Sequence, residues 1–191
     1  EAGVNHNGNL KTALDLVDAA KNSGADAVKF QLFKIDKLFA PEILAKSEKH
    51  RRRKEWELPL EFLPLLAEKC KLEKIQFSCT PFYLEAVKEL EPFVDFYKIA
   101  SYELLWDDLL IACARTMKPI IISTGMATVD EIKHAVMVLK SNGLTFPGNL
   151  TLRINLSYLD SLYTTRSVSY ILLVDLLPDI NTNCDSLISI F

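Results

Sequence analysis

A lysine, a serine and a glutamate closely follow one short apolar run. They are Lys98, Ser101 and Glu103, and the apolar and aromatic run before them covers residues 93–97. Side chains alternate along a strand, so Lys98 belongs to the strand, whereas Ser101 and Glu103 have the opposite parity or lie in the turn beyond it. A cation, a hydroxyl and a carboxylate at the carboxyl end of a buried strand are suited to binding a small anion. The alternative is that the lysine and the glutamate are only solvated there.

The same arrangement recurs at the ends of other predicted strands. Apolar strands are predicted at residues 25–31, 75–81 and 118–125, and each ends in polar side chains. With the first residue, the set comprises Glu1, Lys29, Gln31, Ser78, Thr80, Lys98, Ser101, Glu103, Ser123 and Thr124. Two lysines and several hydroxyls suit a ligand with phosphate and carboxylate groups, and the carboxylates of Glu1 and Glu103 can bind sugar hydroxyls or move protons.

Helical segments alternate with these strands. Asn9 caps a predicted helix that Gly24 ends, and the capping box from Thr128 to Glu131 opens another that Gly143 stops. This alternation predicts an α/β fold with a parallel sheet covered by helices. A (βα)8 barrel and an open doubly wound sheet both fit, and both place function at the carboxyl ends of strands. No G-x-G-x-x-G motif follows a strand, which argues against a dinucleotide-binding sheet.

One stretch between the strands has no clear periodicity. It covers residues 34–58 and is predicted to be a loop. Its basic run at 51–54 is either a solvated loop face or a lid over an anionic substrate.

The last part of the chain differs in composition from the rest. After Gly148 there is no glycine, and after Glu131 there is no glutamate. We therefore predict a partial barrel over residues 1–149 and a divergent tail over residues 150–191. We hypothesise that a change in the coding sequence, such as a frameshift, altered the carboxyl terminus. One or two further strands are expected in the tail, near residues 150–158 and 169–176.

Length and composition restrict the class of protein. The 191 residues suffice for one domain, 49% are hydrophobic, and the net charge of -3 gives no indication of a nucleic-acid partner. The longest apolar run is too short to cross a bilayer and no secretory signal opens the chain, so we expect a cytoplasmic protein without a membrane segment. The four cysteines lack C-x-x-C spacing and are expected to be reduced; Cys79 is either a packed thiol or a nucleophile.

Five motifs occur in order between Glu1 and about Gly143. They are Glu1-Ala2-Gly3-Val4-Asn5-His6-Asn7-Gly8, Ala25-Asp26-Ala27-Val28-Lys29-Phe30-Gln31, Cys79-Thr80-Pro81-Phe82, Tyr97-Lys98-Ile99-Ala100-Ser101 and Ser123-Thr124-Gly125-Met126-Ala127-Thr128. This set resembles the N-acetylneuraminate (sialic acid) synthase family. The resemblance implies a (βα)8 TIM-type barrel, incomplete in this chain.

The resemblance also implies a transferase reaction that forms a carbon–carbon bond. Phosphoenolpyruvate is condensed with N-acetylmannosamine or a related N-acetylated amino sugar, which gives a sialic (nonulosonic) acid and phosphate. In that family the methylene carbon of phosphoenolpyruvate attacks the open-chain aldehyde, water adds at the enol carbon, and phosphate leaves. A divalent metal, Mn²⁺ or Mg²⁺, polarises the aldehyde.

Roles for single residues follow from the same resemblance. Lys29 and Lys98 match the cations that hold phosphoenolpyruvate, and Thr80 and Ser101 match residues that add hydrogen bonds to it. All four are therefore expected to bind substrate.

The acceptor side is assigned in the same way. Gln31 and Glu103 match residues that face the amino sugar, and Glu1 matches a glutamate near the reacting carbons. We expect Glu1, Lys98 and Glu103 to be catalytic, with Gln31 and Glu103 binding the acceptor.

Other parts depart from the family pattern. Arg153 stands where the sixth strand of the family has a histidine, and both metal histidines of the family lack a counterpart. His6, His50 and His134 do not replace them, and His6 is expected to stabilise its own loop, so no residue is assigned to the metal. The carboxyl-terminal antifreeze-like domain, through which members of the family dimerise, also has no counterpart in this sequence. A homodimer is therefore possible but is not specified by the sequence.

Two other functions stay open. A catalytically inactive, truncated remnant would bind anions or associate with a full-length synthase. A barrel lyase or aldolase would instead act through a Schiff base on Lys98. The acceptor stays open among N-acetylmannosamine, a diacetamido sugar and a phosphorylated form.

Overall fold

The computed structural model describes residues 1–145 and 150–153. The chain forms two compact units, Glu1–Tyr97 and Lys98–Phe191. The predicted strand at 169–176, the end of the predicted strand at 150–158, and most of the predicted tail lie outside the described residues.

The first unit contains parallel strands. They are β1 (Ala27–Leu32), β2 (Gln76–Pro81) and the beginning of β3 (Phe96–Ile99). β1 pairs with β2 in parallel along its whole length, from Ala27 opposite Gln76 to Leu32 opposite Pro81. β2 pairs with β3 in parallel, with Ser78 opposite Phe96 and Cys79 opposite Tyr97. These strands are mostly buried, as continuous apolar runs predict.

The amino terminus runs beside β1. Gly3 forms a parallel bridge to Phe30, and the backbone N–H groups of Ala2 and Gly3 both donate to the Lys29 carbonyl at 2.9 Å. Glu1 is therefore placed next to Lys29 by backbone hydrogen bonds.

Three longer connections of the first unit contain a helix against the strands. Helix α1 (Leu10–Asn22) begins as predicted at Asn9, whose side chain accepts from the Thr12 N–H at 2.9 Å, and it buries Ala13 and Val17. Helix α5 (Phe62–Glu73) precedes β2, and α6 (Ala86–Leu90) precedes β3.

The stretch 34–58 is not the loop that we predict from sequence. It forms the short helices α2 (Ile35–Leu38), α3 (Pro41–Lys46) and α4 (Glu48–Arg51), followed by a 3-10 turn over Arg52–Trp56. The basic run at 51–54 thus lies on helical turns, where Arg52 pairs with Glu48 at 2.7 Å. The loop prediction failed because helices of four to six residues are too short to show a repeating apolar face.

The second unit repeats the strand–helix order. Strand β4 (Ile120–Ser123) pairs in parallel with β5 (Leu150–Arg153), with Ile120 opposite Leu150 and Ser123 opposite Arg153. A 3-10 turn at Ser101–Glu103 follows β3, and helix α7 (Asp107–Arg115) precedes β4.

Helix α8 (Val129–Ser141) follows β4 and begins with the predicted capping box. The Thr128 hydroxyl accepts from the Glu131 N–H at 3.3 Å, and the Glu131 carboxylate accepts from the Thr128 N–H at 2.6 Å. The helix buries Ile132, Ala135, Val136 and Leu139 on one face.

Within the described residues no helix has the length and apolarity needed to cross a membrane.

Candidate functional site

The first cluster of predicted site residues surrounds the Lys29 ammonium. Its Nζ lies 2.5 Å from one Glu1 carboxylate oxygen and 2.8 Å from the other, and it donates to the Thr80 hydroxyl at 3.4 Å. Thr80 is 1% exposed and the Lys29 side chain 17% exposed. A cation, a carboxylate and a hydroxyl from three distant chain positions are therefore brought together within one unit.

The parallel register of β1 and β2 positions this cluster. Lys29 and Gln31 share one face of β1, and Gln31 stands opposite Thr80 on β2. Gln31 is half-buried beside this cluster. The Ser78 hydroxyl is buried and donates to the Phe96 carbonyl at 3.0 Å, so it joins β2 to β3. Of the two hydroxyls predicted on β2, only that of Thr80 contacts Lys29.

The second cluster surrounds Lys98 and belongs to the second unit. Lys98 is 6% exposed, and its ammonium donates to the Ile99 carbonyl at 3.0 Å and to the Ser123 hydroxyl at closer range. The cation leaves β3 near its end and the hydroxyl lies at the end of β4. A buried ammonium needs such oxygen partners, because desolvation of an unpaired charge is costly. Thr124, beside Ser123, is also buried.

Ser101 and Glu103 lie in the turn beyond β3, which confirms one of the two alternatives for them. The Ser101 hydroxyl accepts from the Gly125 N–H at 3.1 Å, which connects the turns after β3 and β4. Glu103 is half-buried, and its Oε2 lacks a hydrogen-bond partner within the described part of the chain. Burial raises the pKa of Glu103 above its ordinary value, although a hydrogen bond from its own backbone N–H partly opposes this.

Each of the three histidines makes a hydrogen-bond contact with a nearby group of the protein. His6 is fully buried, and its Nδ1 accepts from the Gly8 N–H at 3.0 Å, as expected for a residue that stabilises its loop. His50 contacts the Ser47 hydroxyl at 2.7 Å, and His134 contacts the Asp107 carboxylate at 2.9 Å.

A metal does not fit the side chains described. In residues 1–145 and 150–153, no group of three or more histidine, cysteine, aspartate or glutamate side chains is arranged to hold a metal ion. We therefore derive no step through a metal.

The cysteines of the described region are packed thiols. Cys70, Cys79 and Cys113 are free and buried. Burial raises the pKa of Cys70 and of Cys113 to about 12 and also raises the pKa of Cys79, which opposes formation of the nucleophilic thiolate. Cys184 lies outside the described residues.

The first unit also has a cleft that the sequence did not predict, and none of the candidate site residues lines it. It has a volume of about 450 Å³ and lies where the chain leaves β1, between residues 32–34 and residues 54–60. Its lining includes Leu32, Phe33, Lys34, Lys54, Glu55 and Leu58. The only signal in the sequence was the pair of apolar residues at either end of the supposed loop, Phe33 and Leu58.

The sequence profile of the NeuB family matches residues 16–152, which is well over half of the chain. This chain belongs to the NeuB family. The N,N'-diacetyllegionaminic acid synthases of Legionella pneumophila and Campylobacter jejuni are each 40% identical to it, over 73% and 75% of the chain. The chain spans only 42% and 46% of the lengths of these NeuB relatives.

A solved NeuB-type structure has the same fold. The N-acetylneuraminic acid (sialic acid) synthetase from Leptospira borgpetersenii serovar Hardjo-bovis, in complex with citrate, superposes with a TM-score of 0.69 at 28% identity. The match covers 88% of this chain and 55% of that one. The predictions of the sialic acid synthase family and of an α/β fold comprising part of a (βα)8 barrel are confirmed.

Proposed function

We propose that this chain is part of a NeuB-type synthase that condenses phosphoenolpyruvate with an N-acetylated amino sugar to give a nonulosonic acid and phosphate. The observation that carries the proposal is the cluster at Lys29, where the Glu1 carboxylate and the Thr80 hydroxyl meet one ammonium group. Membership of the NeuB family and the names of the relatives support the class of product.

The donor is assigned to the two lysines. Lys29 and Lys98 neutralise the phosphate and carboxylate of phosphoenolpyruvate, while Thr80 and Ser101 add hydrogen bonds. The low exposure of Lys98 supports this role, since a fixed cation in a poorly hydrated site stabilises an anion more strongly than one in water.

The acceptor and the proton transfers are assigned to Gln31, Glu103 and Glu1. Attack of the donor's methylene carbon on the aldehyde turns its oxygen into an alkoxide, which needs a proton. The raised pKa of Glu103 suits a carboxyl group that holds a proton and then delivers it. Glu1 is the base for the water that adds at the enol carbon, and Gln31 hydrogen-bonds the sugar.

The test is phosphate release that depends on the sugar. The purified chain is incubated with phosphoenolpyruvate, Mn²⁺ and each candidate amino sugar, and inorganic phosphate and the nonulosonic acid are measured. Phosphate release only in the presence of sugar supports the synthase. Binding of phosphoenolpyruvate without turnover supports the alternative of an inactive remnant.

A pair of lysine variants tests the donor site. Lys98→Ala is expected to weaken phosphoenolpyruvate binding roughly tenfold or more, the effect of losing one charged hydrogen bond. Lys133→Ala removes an exposed lysine of α8 in the same unit and is expected to leave binding unchanged. Full phosphoenolpyruvate affinity in Lys98→Ala contradicts the assignment. Borohydride trapping with pyruvate distinguishes a Schiff-base enzyme, since the proposed reaction needs no imine.

A further inference from the structure

The connection between β1 and α5 contains a segment without a buried residue. Every residue from 39 to 57 is exposed or half-buried, and neither α3, α4 nor the 3-10 turn after them buries a side chain. The residues that flank this stretch are packed, since Ile35 and Leu58 are each 3% exposed. We call residues 39–57 the basic segment. A segment with few buried apolar contacts opens locally at a lower cost than the rest of a domain.

Several contacts hold the basic segment together internally. Arg52 pairs with Glu48 at 2.7 Å. The centre of the Phe39 ring lies 4.6 Å from the centre of the His50 ring and 5.4 Å from the Arg53 guanidinium carbon. These contacts join the beginning of the segment to its middle, so the segment can move as one body.

The polar contacts described between the basic segment and the rest of the unit lie at its two ends. At the far end the Glu57 carboxylate accepts from the Ile35 N–H at 2.6 Å. At the near end the Phe39 N–H donates to the Ile35 carbonyl at 3.1 Å. The preceding helix α2 is fixed to α6, because Lys37 pairs with Glu85 at 2.6 Å. Anchored ends and a weakly attached middle are the arrangement of a hinged flap.

The basic segment lies at the edge of the sheet that carries the candidate site. It follows the carboxyl end of β1, the strand that contains Lys29. Its returning end approaches the loop at Gly8, since a Cβ added to Gly8 would lie 3.0 Å from the Glu55 carbonyl oxygen. That loop follows the amino-terminal residues that run parallel to β1. The segment therefore begins and ends at the carboxyl edge of these strands.

The charge of the basic segment favours an anion. Residues 39–57 include six lysines and arginines and four glutamates, whereas the whole chain has a net charge of -3. Lys49 and Lys54 are exposed and form neither an ion pair nor a side-chain hydrogen bond with any residue that the structure describes. The Arg53 Nε is buried and lacks an acceptor among the described residues. A buried donor without an acceptor is costly, so a second conformation that supplies one is favoured.

We propose that the basic segment is a lid that closes over the Lys29 cluster when an anionic ligand binds there. The inference rests on the proposed function, which makes phosphoenolpyruvate that ligand. In the closed form the Lys49 and Lys54 ammonium groups approach the bound anion, while α2 and the Glu57 contact stay in place as hinges. A ligand shifts such an equilibrium only if it binds the closed form more tightly, and the two lysines supply that difference.

Trypsin measures opening of the basic segment directly. It cleaves after lysine and arginine, and six of these residues lie between positions 46 and 54. The full chain is digested in native buffer, and cleavage within residues 51–53 is followed by mass spectrometry at constant ionic strength. When reclosing is fast, the cleavage rate follows the population of the open form.

Phosphoenolpyruvate should protect the basic segment. At about ten times its dissociation constant, a ligand that requires the closed form reduces opening about tenfold, so we expect cleavage to slow by that factor. Pyruvate at the same concentration lacks the phosphate and is expected to have little effect. A ligand that stabilises the fold without closing the segment would slow cleavage after Lys71, in the packed helix α5, and leave cleavage within residues 51–53 unchanged.

Two double variants with the same loss of charge locate the effect. Lys49→Gln combined with Lys54→Gln neutralises the basic segment and is expected to lose most of the protection, measured at about ten times its own dissociation constant. Lys21→Gln combined with Lys88→Gln neutralises two exposed lysines of α1 and α6 in the same unit and should keep the protection. Both variants retain the arginines at which cleavage is followed.

The outcomes separate the two proposals, with phosphoenolpyruvate binding measured independently by calorimetry. If phosphoenolpyruvate binds but cleavage within residues 51–53 is unchanged, or the variant at Lys49 and Lys54 keeps full protection, the basic segment is a solvated face. The lid inference is then wrong and the proposed function stands. If phosphoenolpyruvate does not bind at all, the proposed function fails and the lid inference fails with it.

Discussion

At the scale of single residues, Glu1 and Lys29 have opposing effects on an anionic donor. The carboxylate lies 2.5 Å from the ammonium and so competes with phosphoenolpyruvate for it. A carboxylate in that position raises the cost of binding the donor. Such a cost is accepted where the same group moves a proton in the reaction, since only interactions that favour the transition state increase the rate.

Substitution of Glu1 should therefore separate binding from turnover. We expect Glu1→Gln to bind phosphoenolpyruvate at least as tightly as the wild type, because a negative neighbour is removed. Sugar-dependent phosphate release should fall by about 10² to 10⁴, the usual contribution of a general acid or base. Steady-state kinetics with a parallel binding titration measure both, and Glu48→Gln, an exposed glutamate of α4, is the control. Weaker donor binding in Glu1→Gln would contradict this role.

His6 makes the stability of the amino-terminal loop depend on pH. Because Nδ1 accepts from the Gly8 N–H, the ring is neutral with its proton on Nε2, and burial lowers the pKa of His6 below its ordinary value of 6.5. The unfolded chain binds this proton more readily than the folded chain. The stabilisation is complete above the ordinary pKa and is lost as the pH falls through 6.5 towards the lowered pKa.

The free energy of unfolding should accordingly fall between pH 7.5 and pH 5. The slope from His6 is at most about 1.4 kcal/mol per pH unit. His6→Gln keeps a neutral acceptor but cannot bind the proton, so its unfolding free energy should be lower at pH 7.5 and should change less with pH. Urea unfolding at both pH values measures this. Equal pH slopes for the two proteins would show that His6 does not carry the effect.

At the scale of secondary-structure elements, the capping box of α8 is a local feature with a measurable contribution. Thr128 and Glu131 satisfy each other's backbone N–H groups at the beginning of the helix. Thr128→Ala is expected to lower the free energy of unfolding by about 1 kcal/mol. Thermal unfolding followed by circular dichroism measures the change, with Ser141→Ala at the exposed end of the same helix as the control. An unchanged stability would mean that α8 is fixed by packing alone.

Helices whose first turn is marked by capping residues could be predicted from the sequence, whereas helices without such residues could not. The cap at Asn9 and the box at Thr128 are each encoded within four residues, so the sequence locates both helices. Helix α3, at Pro41–Lys46, buries none of its residues, and so it has no apolar pattern that could distinguish it from a loop. A helix this short also gains little stability from the helix propensity of its residues.

The candidate site was predictable as a set of residues but not as a set of contacts. The alternation of strands and helices placed Lys29, Thr80 and Lys98 at strand ends. Whether Lys29 meets Glu1, 28 residues away, or Thr80, 51 residues away, depends on strand register, which the sequence does not specify. The cleft likewise depends on where the segment 54–60 folds back over the end of β1, which only tertiary packing decides.

At the scale of the whole molecule, the cysteines report on unfolding of each unit. Cys70 and Cys79 belong to the first unit and Cys113 to the second, and all three are buried. Alkylation in native buffer at pH 8 should be more than about a hundredfold slower than in urea, because the reactive thiolate becomes scarcer as the pKa rises above the pH.

Peptide mapping by mass spectrometry across a urea series gives one unfolding midpoint for each cysteine. The midpoints of Cys70 and Cys79 should coincide, since both thiols are buried in the same unit. Rapid labelling of Cys79 in native buffer would contradict its assignment as a packed thiol and would favour the alternative of a nucleophile.

The close approach of Gly8 to the Glu55 carbonyl limits which sequences the chain can tolerate. Gly8 has φ +69°, and a Cβ added there would lie 3.0 Å from the Glu55 carbonyl oxygen, whereas Gly24 has φ +80° and nothing within 4 Å of an added Cβ. In a saturation library, asparagine should survive at position 24, since that residue tolerates left-handed backbone. At position 8 a substituent would need the Glu55 backbone to shift by a few tenths of an ångström and would itself hold left-handed backbone, so natural variation there should be largely confined to glycine.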